Sequence, residues 1–200
     1  MSPLQTLGFS LGTSFASGLN LYATVVALGL LHRFDVIHLP AQLDILAHAV
    51  VLGVAVTLYV VEFVADKVPY VDNVWDVIHT FIRPPAAAVL SYTAWGNVSE
   101  PWRTAAALLA GTVALASHST KASTRAATNA SPEPISNWLL SLSEDGAAVF
   151  LAWMAATHPV ATLVLTAILV VLCVYITVRL FRFLRWLVRR VFGGDGQGAP

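Results

Sequence analysis

The chain has 200 residues, of which 57% are hydrophobic and only 11% charged, and its mean hydropathy is +0.72. A soluble domain carries about a quarter charged residues, so this composition indicates an integral membrane protein and excludes an ordinary soluble domain. The formal net charge of zero gives no reason to expect a nucleic-acid partner, and the single cysteine, Cys173, excludes a disulfide or a CxxC site. At about 20 residues per span, the length allows one domain with roughly five to seven membrane segments.

The first apolar segment runs from Leu4 to Leu31 and is interrupted by the small-residue stretch GTSFASGLN, residues 12–20. Two interpretations fit this pattern. The segment is either one long tilted helix or two half-helices that meet at the small-residue break. His32, Arg33 and Asp35 then mark a membrane interface.

The second segment, Gln42 to Val64, is predicted to form one spanning helix, with His48 as a packed or interfacial histidine. From Glu62 onward the sequence is no longer apolar and carries several charged residues. Because Glu62 and Asp66 are four residues apart, they share a helical face before Pro69 ends the turn.

An amphipathic segment follows, in which Asp72, Asp76, His79 and Arg83 recur at spacings of four, three and four. This spacing predicts one polar stripe along a single helix. Together with the short apolar run after Pro84-Pro85, residues 70–96 form either a re-entrant hairpin that lines a cavity or a helix on the membrane surface. Both interpretations stay open at the level of the sequence.

The longest predicted helix begins near Trp102 and continues without a breaker into a hydroxyl-rich stretch. His118, Lys121 and Arg125 lie three and four residues apart and therefore share one face, which Asn129 extends. The Ser131-Pro-Glu-Pro sequence breaks this helix, and a new helix opens at Ile135 or Ser136. Its polar face comprises Asn137, Ser141, Glu144 and Asp145, with Ser141 four residues after Asn137 and with Glu144 and Asp145 three and four residues after Ser141.

The last spanning segment, Val160 to Val178, is followed by five arginines, at positions 179, 182, 185, 189 and 190. The positive-inside rule therefore places the C-terminus in the cytoplasm. Residues 1–192 are predicted to form a single polytopic domain, and 193–200 a flexible tail. A weak echo between residues 17–22 and 135–138 suggests two related halves, 1–98 and 99–192, as in carriers built from inverted repeats.

Charged side chains flanked by membrane-length apolar sequence are costly to keep and mark functional sites. Lys121 and Arg125, beside a half-helix that begins at Pro134, predict a cationic pocket suited to phosphate or carboxylate. Histidines and carboxylates nearby could carry protons. The candidate substrate-binding residues are Asp72, Asp76, His79, Arg83, Lys121, Arg125, Asn129, Asn137, Glu144 and Asp145; those for proton coupling are Glu62, Asp66, His79 and His118. The same stretches also contain Lys67 and Glu133.

The first hypothesis is therefore a small membrane transporter for an anionic solute or a lipid-linked phosphate, with or without coupling to protons. An ion channel with re-entrant helices is one alternative. A scaffold or partner-binding protein, in which the charges form a polar clasp between helices, is another. An enzyme is least favoured, because GxSxG, HExxH and Walker sequences are absent from the sequence and Asp72, Asp76 and His79 are a weak metal signal; no cofactor is predicted.

Two long motifs, EFVADKVPYVDNVWDVIHTFIRPPAAAVL and HSTKASTRAATNASPEPISNWLLSLSED, resemble a family of small bacterial membrane proteins catalogued as domain of unknown function family 4126. The resemblance extends from Gly8 to about Pro159. It implies a helical protein of the bacterial inner membrane and supplies no catalytic residues. The expected fold is an all-α, multi-span helical bundle with broken or re-entrant helices, with the lipid bilayer as its partner and homo-oligomers left open.

Overall fold

A computed structural model describes residues 1–68, 70–129 and 134–192, and the regular structure in these residues is entirely helical. The all-α prediction is thus confirmed, whereas the predicted tail 193–200 and Glu133 lie outside the described residues. A 3₁₀ helix, Ala41–Ala47, precedes α3. The α-helices are α1 (Pro3–Leu19), α2 (Leu21–Arg33), α3 (Ala49–Ala65), α4 (Val71–Thr80), α5 (Arg83–Ala94), α6 (Glu100–Asn129), α7 (Pro134–Thr157) and α8 (Pro159–Phe192).

In the part of the chain that the structure describes, two or three helical segments are long and apolar enough to cross a membrane. Asn137–Thr157 and Pro159–Phe183, which belong to α7 and α8, qualify on their own. The third is the 3₁₀ helix together with α3, if this pair, bent by 61°, is counted as one span. The chain therefore has the helices of a membrane protein.

The prediction of one continuous helix over residues 42–64 is wrong, because the chain bends at His48 between a 3₁₀ helix and α3. The backbone of His48 is extended, with φ −68° and ψ 135°, and its ring Nδ1 accepts a hydrogen bond from the N–H of Val50. His48 is thus the N-cap of α3. A cap at this position explains why the regular α-helix begins seven residues later than predicted.

The first apolar segment consists of two half-helices that meet at Asn20. The backbone of Asn20 is extended, and its N–H donates to the carbonyl of Ala16, which ends α1. Its side-chain oxygen accepts from the N–H of Ala23, which caps α2. One asparagine therefore terminates one helix and starts the next, and the long-tilted-helix alternative is excluded.

Helix α1 lies at the centre of the fold, packed against α5, α6, α7 and α8. This close packing depends on glycines: a Cβ on Gly8 would overlap the carbonyl of Pro159, and one on Gly18 would overlap Ser117 Oγ. Small-residue contacts of this kind let helices approach closely without large apolar side chains between them. The buried hydroxyls of Thr13 and Ser14 donate to carbonyls of their own helix, which satisfies them in an apolar setting.

Helix α4 turns its charged face inward and its apolar face outward. Asp72 and Asp76 are buried, whereas Val74 and Val77 are each 63% exposed. This distribution is the reverse of a soluble protein and suits contact with lipid. An amphipathic helix on the membrane surface would instead turn its charges to water, so the surface-lying alternative for residues 70–96 does not fit the observed orientation.

Candidate functional site

Nine charged side chains from five helices meet in the interior, and we call them the buried charge cluster. Each is at most 7% exposed. Six are carboxylates and three are cations, so the cluster holds twice as many acidic as basic groups. Its members are Glu62 and Asp66 of α3, Asp72 and Asp76 of α4, Arg83 of α5, Lys121 and Arg125 of α6, and Glu144 and Asp145 of α7.

Arg83, the first residue of α5, joins three elements. Its Nη2 donates to Glu62 Oε1 at 2.5 Å, and its Nη1 donates to the carbonyl of Gly18 at 2.8 Å and to His118 Nδ1 at 2.9 Å. Because a guanidinium can only donate, His118 Nδ1 must accept, and the ring proton is on Nε2. The Nε2–H lies 3.0 Å from the carbonyl of Asp76. His118 is therefore held neutral, with both ring nitrogens engaged.

Lys121 is surrounded by oxygens. Its ammonium lies 3.1 Å from Asp66 Oδ2, 3.4 Å from Glu62 Oε1 and 3.5 Å from Glu144 Oε2. It also donates to the carbonyl of Leu19, the last residue of α1, at 3.1 Å. A buried ammonium needs this degree of compensation, and its three donors are fully used.

Arg125 contacts Glu144 Oε2 at 2.6 Å and Asp66 Oδ2 at 2.9 Å, and it donates to the backbone carbonyl of Asp66 at 3.1 Å. Asp66 is the C-cap of α3. The helix ends that meet Lys121 and Arg125 are thus C-terminal ends, whose negative partial charge stabilises cations.

A chain of amides links the cluster to α7. Asn129 Nδ2 donates to Asp72 Oδ2 at 2.8 Å, and Asn137 Nδ2 donates to Asn129 Oδ1 at 2.6 Å. Asp72 Oδ1 also accepts from the N–H of Asn73 at 2.7 Å. These contacts tie together α4, α6 and α7 through neutral groups.

Three uncharged residues that the sequence analysis did not select as site residues complete the arrangement. Asn20 Nδ2 and the hydroxyl of Tyr59 both donate to the carboxylate of Asp145, at 2.8 and 3.3 Å. The hydroxyl of Tyr22 lies 3.2 Å from His79 Nε2, and His79 Nδ1 lies 2.9 Å from the carbonyl of Trp75. Asn20 was detectable in principle, because it ends the small-residue break.

Asp76 differs from the other carboxylates of the cluster. Its side chain is 2% exposed, and both carboxylate oxygens lack a hydrogen-bond partner within the described residues. The backbone carbonyl of Asp76, in contrast, accepts hydrogen bonds from two side chains. The hydroxyl of Thr80 donates to it at 2.9 Å and His118 Nε2 at 3.0 Å.

The predicted site residues come together in the structure. The substrate-binding and proton-coupling candidates belong to the buried charge cluster or bond directly to one of its residues, with two exceptions. Asn137 is linked to the cluster through Asn129, and His79 bonds to Tyr22 and to the carbonyl of Trp75. Lys67 instead lies beside Phe63 and Ser141, partly exposed. Within residues 1–68, 70–129 and 134–192, there is no group of three or more His, Cys, Asp or Glu side chains arranged to hold a metal ion.

A family model described as "Domain of unknown function (DUF4126)" matches residues 7–179 of the chain. The chain belongs to this family. No curated protein and no solved structure matches it. The buried charge cluster, from Glu62 to Asp145, lies wholly inside the DUF4126 range. The function must therefore be argued from the chemistry of the cluster itself.

Proposed function

We propose that the protein is a small, multi-span transporter of the bacterial inner membrane, with its C-terminus in the cytoplasm, that moves an anionic solute or a lipid-linked phosphate together with protons. The observation that carries the proposal is the buried charge cluster, built around the break at Asn20 and the C-terminal end of α3 at Asp66. Ionisable groups kept inside a membrane-type fold are costly and mark ion or substrate pathways. Three buried cations offer the donors that an oxyanion requires.

The arrangement of carboxylates suggests how protons and an anion would be coupled. In the structure, Glu144 and Asp66 occupy the positions around Arg125 and Lys121 that a bound oxyanion would take. Protonation of a carboxylate in the cluster lowers the negative charge that competes for these cations, because a neutral acid attracts a cation far less than a carboxylate does. An incoming phosphate or carboxylate could then displace Glu144 and Asp66 from the cations, so the anion and the proton enter together.

An apolar groove supports a lipid-linked phosphate as substrate. It has a volume of about 620 Å³ and lies between α2, α3 and α5, with Val54, Leu58 and Val89 among its lining residues. Its lining includes Tyr22, whose hydroxyl contacts His79 at the edge of the polar interior. A hydrocarbon chain in this groove would place an attached phosphate on the side of the buried cations.

The test is transport by the purified protein in liposomes, with radiolabelled inorganic phosphate in one arm and a fluorescent phosphatidic acid in the other. We expect one of the two to move faster when the side of entry is acidic. Lys121→Met should lower that rate at least about tenfold, the loss expected for a charge-assisted hydrogen bond. Arg103→Gln is the matched control, because Arg103 contacts Tyr92 away from the cluster.

Each of the three buried cations has a carboxylate partner, which also favours a second function, the polar clasp. In that case neither substrate moves in liposomes, and Lys121→Met only lowers the stability of the fold, which would contradict the transport proposal. Uptake that neither saturates nor depends on the pH gradient would instead indicate the ion-channel alternative.

A further inference from the structure

We propose that Asp76 is the side chain that binds and releases the coupled proton, and that its charge controls how firmly the cluster holds Lys121 and Arg125. This inference rests on the proposed function and deepens it, since it assigns proton coupling to one carboxylate. Asp76 was predicted from the sequence as a substrate-binding residue. The geometry points instead to a residue that binds a proton.

The first step is a comparison of the six buried carboxylates. Among the described residues, five of them accept at least one side-chain or backbone hydrogen bond, and Asp76 alone accepts none. The donors to the other five are Arg83 and Lys121 for Glu62, Lys121 and Arg125 for Asp66, Asn129 and Asn73 for Asp72, Arg125 for Glu144, and Asn20 and Tyr59 for Asp145. Hydrogen bonds to an ionised carboxylate are what keep it ionised when buried, so Asp76 is the member least able to stay charged.

The second step is the balance of charge around Asp76. Lys121 and Arg125 of α6, Arg83 of α5 and Asp66 of α3 face it, and Asp72 and His79 belong to its own helix. The three cations are already engaged by Glu62, Asp66 and Glu144. An ionised Asp76 would therefore be a surplus negative charge. Burial raises the pKa of Asp76 to about 6, in part against the pull of these cations.

The third step links the proton to the anion site. Neutral Asp76 leaves Lys121 and Arg125 to their present partners, whereas ionised Asp76 adds a negative charge that competes for the same two cations. At the low effective dielectric of a buried site, such a charge changes the energy of a nearby cation appreciably. Binding of an anion to Lys121 and Arg125 is thus favoured when Asp76 carries its proton, which is the direction required for transport of the two together.

A direct test is infrared spectroscopy of the protein in lipid nanodiscs across a pH titration, following the C=O stretch of protonated carboxylic acids. We expect a band that is lost as the pH rises through about 6 and that is missing at every pH in Asp76→Asn. Asp76→Glu should shift its frequency and retain its titration. Asp44→Asn, which changes a carboxylate that is 64% exposed, is the control that should leave the band unchanged.

Stability provides a second measurement. The pKa of Asp76 is raised in the folded state, so its contribution is fully present below pH about 3.8 and is lost as the pH rises through about 6. Across that window the folding constant of the wild type should fall by up to about 100-fold from this group. In Asp76→Asn, which resembles the protonated acid, this part of the fall should be absent.

The outcomes separate this inference from the proposed function. If the band titrates and disappears in Asp76→Asn while neither phosphate moves in liposomes, Asp76 is a proton site and the transport proposal alone fails. If transport is proton-dependent and the band is unchanged in both Asp76→Asn and Asp76→Glu, the assignment to Asp76 is overturned. A band whose midpoint shifts on exchange of Na⁺ for K⁺ at constant ionic strength would also overturn it, since the site would then bind a metal cation.

Discussion

Arg83 shows how a single buried residue can hold together distant parts of the chain. It begins α5, and its guanidinium, which is 0% exposed, reaches the last turn of α1, Glu62 on α3 and His118 on α6. A buried ion pair gains little against apolar residues of the same shape, but removal of one partner leaves an uncompensated charge in the interior. The loss of stability is therefore largest when only one of the two residues of the ion pair is replaced.

Glu62→Gln should lower the free energy of unfolding by roughly 3–5 kcal/mol, because Arg83 would lose its buried counter-ion. Unfolding in mixed micelles, followed by circular dichroism, measures the change. The matched control is Asp44→Asn, which removes an exposed partner of His32 and should cost less than about 1 kcal/mol. Equal costs for the two variants would show that the Glu62–Arg83 pair does not carry the stability assigned to it.

The spacing of charged residues in the sequence predicted which side chains form the site, but not which backbone groups bind them. Spacings of three and four placed His118, Lys121 and Arg125 on one face, and the structure confirms that all three are buried together. The carbonyls of Gly18 and Leu19, which hold Arg83 and Lys121, could not be predicted in this way. Every residue has a backbone carbonyl, so the sequence does not show which carbonyls accept a hydrogen bond from a side chain. These carbonyls can be identified only when the C-terminal end of the helix, where carbonyls lack an intrahelical donor, is known.

At the scale of elements, the small residues of α1 determine which helices can meet. Gly18 lies at the crossing with α6, where a Cβ would overlap both Ser117 Oγ and the carbonyl oxygen of Ala114. A backbone atom cannot move aside as a side-chain end can. Gly53 in α3 provides the opposite case, because nothing lies within 4 Å of the position its Cβ would take.

Gly18→Ala should therefore destabilise the fold by about 1–3 kcal/mol through overpacking. Gly53→Ala should be neutral or stabilising by up to about 1 kcal/mol, because alanine is the better helix former. Thermal unfolding of the two variants in the same detergent makes the comparison. If Gly18→Ala proved as stable as Gly53→Ala, the close contact of α1 with α6 would be refuted.

The two helix breaks were not equally predictable. The stretch of residues 12–20 signalled a break with its glycines and serines, and left only the choice between one helix and two. The bend at His48 had no such signal, since it lies in an apolar run without glycine or proline beside it. It arises because the His48 ring caps the next helix, a local hydrogen bond that competes with a continuous backbone ladder.

Over the whole molecule, polar groups concentrate inside and apolar side chains outside. Phe81 is 77% exposed and Leu108 is 70% exposed, while the nine charges of the buried charge cluster are enclosed. An apolar surface of this extent is unfavourable in water but not in contact with lipid hydrocarbon. The composition of the sequence predicted a membrane protein, and the orientation of α4 predicts which side of that helix would meet lipid.

Val77→Arg tests this orientation. Val77 is on the outward face of α4 and 63% exposed, so a charge there should cost roughly 2.5–3.5 kcal/mol if the face meets lipid. The control is Val36→Arg, in the connection after α2, where Val36 is 58% exposed beside polar residues and the charge should be tolerated. Yield of folded protein in membranes and its unfolding midpoint are the measurements. Similar behaviour of both variants would mean that the outer face of α4 meets water.

The central position of α1 has a consequence for how the protein is made. This helix is synthesised well before its packing partners α6, α7 and α8. Until they arrive, Gly18 and Gly8 lack the surfaces of α6 and α8 that they contact, and the carbonyl of Leu19 lacks the Lys121 side chain that later binds it. The native contacts of α1 can therefore be completed only after α6, α7 and α8 have been synthesised.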